Sequence, residues 1–217
     1  MSHNIWYSTA DKADVLAFLG SNGNLSDDQQ HRLAEMRTSA QARQDELVRQ
    51  DIDWGLPVPE ALDHLIAGHT DSNAEYAGNA YHAALQIIID HNASDPGHLG
   101  TFSGPATFFS HVDEVMKSLG VPAELLPYDF LYPALPPAGF PYVPHSVDGY
   151  PAIGHMPLDK VKPAADAYRA VLDQLDPSTR YDIQELIEKL DDEHENWVYA
   201  TEKLDWYTQD TLFFALT

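Results

Sequence analysis

Cysteine is absent from this chain of 217 residues, and basic residues are few: 12 lysines and arginines stand against 34 aspartates and glutamates. Without cysteine, the protein has no disulfide bond and no thiolate nucleophile. The formal net charge of −22 repels other polyanions and attracts basic surfaces. We therefore expect no nucleic-acid ligand, and a partner, if there is one, with a basic patch.

Long hydrophobic runs are also missing. Apolar stretches such as residues 87–89 are far too short to span a bilayer. Near the N-terminus, the apolar residues 5–7 are followed at once by polar Ser8 and Thr9, without the apolar segment of a signal peptide. The sequence therefore predicts a cytoplasmic protein, of a bacterial type of cytoplasm, that does not associate with membranes.

Strand patterns are scarce, and most of the chain repeats its apolar residues at helical spacing. The clearest helical repeat runs from about residue 73 to residue 90. Short apolar segments at residues 5–7 and 212–216 predict two strands, which we expect to pair. The predicted fold is mainly α with a minimal β-sheet (α+β), in which N- and C-terminal strands meet. The length suits a single domain over residues 1–217, with two lobes as the alternative.

Residues 121–163 interrupt the helical pattern because they contain ten of the fifteen prolines together with six aromatic residues. This aromatic content favours a segment that wraps over the core, between a helical part at 1–120 and further helices plus the terminal strand at 164–217. The alternative is a lid over a ligand site. The polar and aromatic side chains available to such a pocket are Tyr128, Tyr142, His145, Asp148 and His155.

Motifs of catalysis and cofactor binding are lacking. The chain has no Gly-x-Ser-x-Gly turn, and residues 100–104 lack the Lys-Ser/Thr ending of a phosphate loop. It also has no Glu-x-x-His pair of the ferritin type. One weaker metal set remains, since Asp71, Glu75 and His82 would share a face if the fourth helix extended back to them. We expect neither a cofactor nor a bound metal, and the balance leans away from an enzyme.

The last long helix carries a nearly continuous row of carboxylates on its predicted outer face, relieved only by Lys189. Such a row is most often a solvated surface, and it is also where attraction for a basic partner would be strongest. We call it the acidic ridge, and it consists of Asp182, Glu185, Glu188, Asp192 and Glu195.

From about residue 75 to residue 217 the chain resembles an uncharacterised bacterial family, a domain of unknown function. The resemblance is carried by residues 111–115 with 120–122 after them, by residues 150–155, and by the terminal strand at 212–216. It implies a shared layout and transfers no activity. Small acidic proteins of this kind are also similar, in general character, to bacterial immunity and antitoxin proteins.

These observations predict an acidic interaction module that binds a basic protein partner, in the manner of an immunity or antitoxin protein. The alternative is a hydrolase-like enzyme for a small ligand, with its site under residues 121–163. The oligomeric state and the identity of the partner or substrate stay open.

Overall fold

The structure is a computed structural model that describes residues 2–133, 139–147 and 149–217. The described residues form eight α-helices and four β-strands, so the prediction of a mainly helical protein with a small sheet is confirmed. The strands are β1 (Ser2–Ala10), β2 (Gly97–Ser103), β3 (Ala152–Pro157) and β4 (Thr211–Leu216). The helices are α1 (Lys12–Leu16), α2 (Asp27–Arg49), α3 (Val58–Ala67), α4 (Ala77–Asp90), α5 (Pro105–Ser118), α6 (Pro127–Leu131), α7 (Leu158–Val171) and α8 (Pro177–Lys203).

The chain divides into two compact units that alternate along the sequence. The first unit comprises Met1–Thr9, Pro96–Ala134 and Gly154–Leu216, and the second comprises Ala10–Asp95, Leu135–Ile153 and the last residue. The sheet and α5 to α8 therefore belong to the first unit, whereas α1 to α4 make up most of the second. No helix in the described part of the chain has the length and apolar character needed to cross a membrane.

In the first unit the four strands are ordered β2-β1-β4-β3, so the predicted pairing of the terminal strands β1 and β4 is confirmed. The sequence did not predict β2 or β3, which form the two edges of the sheet. β2 contains two glycines and only one buried residue, so it lacks a clear strand pattern. β3 lies in the proline-rich segment, and an edge is the position in a sheet where proline is tolerated.

The helices of the first unit cover a core built from large side chains of several elements. Phe109 of α5, Tyr168 of α7 and Phe213 of β4 are all almost completely buried. The hydroxyl of Tyr168 donates a hydrogen bond to the carbonyl of Leu125, which satisfies the polar end of this buried ring. Gly154 of β3 lies against the backbone of α6, where a Cβ atom would be 2.3 Å from the carbonyl oxygen of Phe130.

The second unit is helical, and its helix boundaries follow local sequence signals. Ser26 and Gln29 form a capping box at the start of α2, with hydrogen bonds of 3.3 and 3.0 Å. Gly68 ends α3 in the left-handed conformation. The prediction for α4 was wrong at its start, because the helix begins at Ala77 and not near residue 73. The buried face of α4 carries Tyr81, Ile88 and Ile89.

Two residues of α4 hold the described part of the proline-rich segment in the second unit. The side-chain amide of Asn79 donates to the carbonyl of Tyr150 at 3.1 Å and accepts from the backbone amide of Val147 at 3.2 Å. At Gly78 the two backbones approach so closely that a Cβ atom would lie 2.2 Å from the carbonyl oxygen of His145. This part of the segment is therefore packed onto α4.

Candidate functional site

The acidic ridge lies on α8, whose start is defined by strong local capping. Asp176 accepts hydrogen bonds from the backbone amides of Ser178 and Thr179, both at 3.1 Å, and from their hydroxyl groups. These hydrogen bonds hold the pKa of the Asp176 carboxyl well below its usual range. Pro177 occupies the first turn, where its missing N–H is not needed.

α8 buries one apolar face and turns the ridge away from it. Its buried residues include Ile183, Leu186, Ile187 and Leu190, spaced three or four residues apart. On the ridge, Glu188, Asp192 and Glu195 are exposed, whereas Asp182 and Glu185 are partly buried. From residue 182 to residue 195 the ridge is about 20 Å long, from the rise of 1.5 Å per residue.

No ion pair within 4 Å reaches a carboxylate of the ridge from any residue that the structure describes. Asp191, on the side of α8 that faces α7, is different: it forms ion pairs with Lys162 and Arg169. Burial, followed by repulsion from Glu185, raises the pKa of Asp182. Lys162 and Arg169 thus pair with the flank of α8 and not with the ridge.

Two exposed tyrosines flank the ridge on the same helix. Tyr181 is 67% exposed and Tyr199 is 65% exposed, which is unusual for such large side chains. Together with Glu188, Asp192 and Glu195 they follow a spacing of seven, four, three and four residues, so all five lie along one face. The sequence analysis missed these tyrosines, although the same spacing could have revealed them.

The residues proposed for the alternative pocket lie in different parts of the structure. Tyr142 and His145 are in the second unit, where their rings make a perpendicular contact with centroids 6.4 Å apart. Tyr128 of α6 and His155 of β3 are in the first unit, and Tyr128 stacks on Tyr132 at 5.0 Å. Asp148 lies outside the described residues. Tyr142 and His145 are thus brought together, whereas Tyr128 and His155 belong to the other unit.

The weaker metal set is not assembled, because α4 begins after two of its three members. Asp71 accepts a hydrogen bond from His69 at 2.8 Å, and His82 bonds through Nδ1 to the carbonyl of Gly78 at 2.8 Å. Burial is the main cause that lowers the pKa of His82. Within the described ranges, no three histidine or carboxylate side chains are grouped in a way that could hold a metal ion. The helix does not extend back to Asp71 and Glu75, so they do not share a face of α4 with His82.

An open groove of about 430 Å³ lies between α5 and α6 in the first unit. Beside it, Asp113 accepts a hydrogen bond of 3.0 Å from the backbone amide of Tyr128. Burial raises the pKa of Asp113 to about 6, and repulsion from Asp129 adds to the effect. The polar side chains that line the groove are Thr107, Ser110, His111, Glu114 and Tyr128.

A second open groove, of about 570 Å³, lies in the second unit where the loop before α2 meets α3. Its polar rim includes Arg37 and Asp63, which form an ion pair at 2.9 Å. Its floor is apolar and includes Leu33 and Ile66. Because the one cation on its lining is already paired, the groove has no free charge to select an anionic ligand.

Comparison with protein families gives a match over residues 1–215, to a family described as a domain of unknown function (DUF7691). The chain belongs to this family. The resemblance predicted for residues 75–217 is therefore confirmed, and the match also includes the N-terminal third. Comparisons with curated proteins and with solved structures give no match.

The family match includes residues of both units and brings no activity with it. The function must therefore be argued from surfaces. Of the features described, the acidic ridge combines the largest unneutralised charge with exposed aromatic side chains. Both grooves are open, and neither combines a row of unpaired charges with exposed aromatic side chains in the way that the face of α8 does.

Proposed function

We propose that this protein binds a basic protein partner through the exposed face of α8, in the cytoplasm and in the manner of an immunity or antitoxin protein. One observation carries the proposal: five carboxylates lie along about 20 Å of helix with no ion pair from any described residue. A basic partner would supply the missing cations. Such uncompensated charge accelerates the encounter with an oppositely charged surface.

In this proposal Tyr181 and Tyr199 contribute the part of the binding energy that the carboxylates of the acidic ridge do not. Tyrosine is enriched at energetically important positions of interfaces, because its ring is large and rigid and its hydroxyl group forms hydrogen bonds. Tyr181 and Tyr199 lie at the two ends of the ridge and are available to a partner. A ridge that served solubility alone would have no need of exposed aromatic side chains at its ends.

The first test reverses three charges of the ridge in the variant Glu185→Lys, Glu188→Lys and Asp192→Lys. The variant and the wild type are used to capture proteins from a lysate of the source cells at about 0.1 M salt. We expect the basic proteins captured by the wild type to be reduced at least tenfold, since the change of six charge units removes the local attraction. Quantitative mass spectrometry of the captured proteins measures this.

A matched control places the same six charge units on α2, in the variant Asp28→Lys, Glu35→Lys and Asp45→Lys, whose native side chains are all exposed. This control should capture the same partners as the wild type. If both variants lose the same proteins, capture depends on net charge and the proposal is wrong. If neither variant loses any protein, the ridge is only a solvated face.

A second test separates the charges from the tyrosines in their effects on kinetics. Once a partner is captured, replacing Tyr181 and Tyr199 by alanine is expected to accelerate dissociation by about tenfold, with little effect on association. The charge reversal should instead slow association, and should do so most below about 0.1 M salt, where the Debye length exceeds 10 Å. Surface plasmon resonance measures both rates. If the tyrosine variant dissociates at the same rate as the wild type, Tyr181 and Tyr199 are not part of the interface.

A further inference from the structure

The outer edge of the strand β2 has no partner in the part of the chain that the structure describes. β2 is the end strand of the order β2-β1-β4-β3, and its register pairs it with β1 alone, from Ser103 opposite Ser2 to Gly97 opposite Tyr7. No hydrogen bond from another described segment reaches the backbone of residues 97–103. Alternate backbone N–H and C=O groups of β2 therefore point outward without a protein partner.

This edge lacks most of the features with which proteins usually prevent pairing. β2 contains no proline and no lysine, and its side chains at His98, Thr101 and Ser103 are exposed. The one protective feature is a bulge, where the register shifts between Ile5 and Trp6 opposite residues 98–100. Residues 100–103 lie beyond the bulge and pair regularly with β1.

The charge of the edge decides what kind of strand fits it. Neither β1 nor β2 contains a lysine, arginine, aspartate or glutamate, although the whole chain carries a formal charge of −22. The edge therefore offers no electrostatic attraction to a strand of a basic partner. For a second copy of the same chain, an uncharged edge is where the two acidic molecules repel each other least.

We propose that β2 is a self-association edge, at which two copies of the chain pair their β2 strands antiparallel about a two-fold axis. The pairing is isologous, since each strand gives the other the same outward N–H and C=O groups. It would join two four-stranded sheets into one of eight strands. This inference is independent of the function proposed for α8.

The dimer is expected to be weak. A pair of short strands buries less surface than the roughly 1,200–2,000 Å² of a stable interface. Repulsion between the two acidic molecules weakens it further, so added salt should strengthen it, because screening shortens the range of the repulsion to a Debye length of about 3 Å at 1 M. The opposite salt dependence is expected for a partner held by the acidic ridge.

Sedimentation equilibrium of the purified chain, over the concentrations that a weak interface requires, is the first experiment. We expect a reversible monomer–dimer equilibrium whose association constant rises several-fold between about 0.1 and 1 M NaCl. Thr101→Lys places a charge in the middle of the edge and should lower the association constant at least tenfold. Thr38→Lys adds the same charge to an exposed position of α2 and should leave association unchanged.

Thr101→Lys also removes a hydrogen bond that Thr101 donates to Asn4, so a loss of association could come from a folding defect. Ser103→Lys is the second variant, because the side chain of Ser103 makes no hydrogen bond among the described residues. Both edge variants should lose association together. Hydrogen exchange then identifies the surface: outward amides of residues 100–103 should be protected only at high protein concentration, and the amides paired with β1 at every concentration.

A chain that stays monomeric at the highest concentration and salt would overturn the proposal. A dimer that both lysine variants retain, or that leaves the outward amides of β2 unprotected, would overturn it as well, because association would then use another surface.

Discussion

Replacing Gly78 by alanine is expected to destabilise the protein by about 2–3 kcal/mol, as overpacking of a dense contact does. The new Cβ atom would lie 2.2 Å from the carbonyl oxygen of His145 and 2.7 Å from that of Pro144. Both neighbours are backbone atoms, so no side-chain rotation relieves the clash. The sign is informative, because alanine in place of glycine inside an unhindered helix stabilises it by about 1 kcal/mol.

Urea denaturation followed by circular dichroism measures this change. Asn79→Ala should also lower stability, by about 1–3 kcal/mol, because it removes both hydrogen bonds that hold residues 147 and 150. Gln86→Ala, in the same helix, removes one hydrogen bond that the side-chain amide donates to Asp90 and should destabilise the protein less than Asn79→Ala does. A Gly78→Ala variant as stable as the wild type would show that the proline-rich segment does not pack on α4.

Replacing Asp113 by asparagine is expected to stabilise the protein at neutral pH and not in acid. The pKa of Asp113 is about 6 in the folded protein, against 3.8 for an ordinary aspartate. The folded state therefore binds the proton of this carboxyl more tightly than the unfolded state does. The contribution of Asp113 to the free energy of unfolding is fully present below pH 3.8 and is lost as the pH rises through about 6. Asparagine stays neutral and keeps the oxygen that accepts the hydrogen bond from Tyr128.

The gain at pH 7 is about 1–3 kcal/mol, the upper value being the full pKa difference and the lower one allowing for partial exposure to solvent. Thermal unfolding between pH 3.5 and 8 measures it, in dilute protein because the isoelectric point is near 4.5. Glu114→Gln removes one exposed charge from the same helix and should follow the wild type throughout. A stabilisation by Asp113→Asn that is equal at all these pH values would contradict the assigned cause.

Local signals in the sequence were sufficient for the helical class of the fold and for the two central strands of the sheet, β1 and β4. The capping box at Ser26 and Gln29 depends on residues three positions apart, and the heptad spacing of the acidic ridge lies within a single helix. The terminal strands were recognisable because their apolar residues are flanked by polar ones. β2 and β3 were not, because at an edge of the sheet few of their side chains are buried.

Properties that depend on distant residues could not be read from the sequence. No local pattern marks Asp113 as a desolvated carboxylate, since desolvation is a property of the whole surroundings of a group. In the same way, no local pattern shows that the missing side chain of Gly78 admits the backbone of residues 144–145.

The sequence by itself determined the class of the fold, the pairing of its termini and the strongly negative charge, because these follow from composition and from neighbours a few residues apart. Only the tertiary structure decided how the chain divides into two alternating units, which carboxylates of α8 are paired with cations, and which strand edge is left open. Each of these depends on residues far apart in sequence, which no local pattern records.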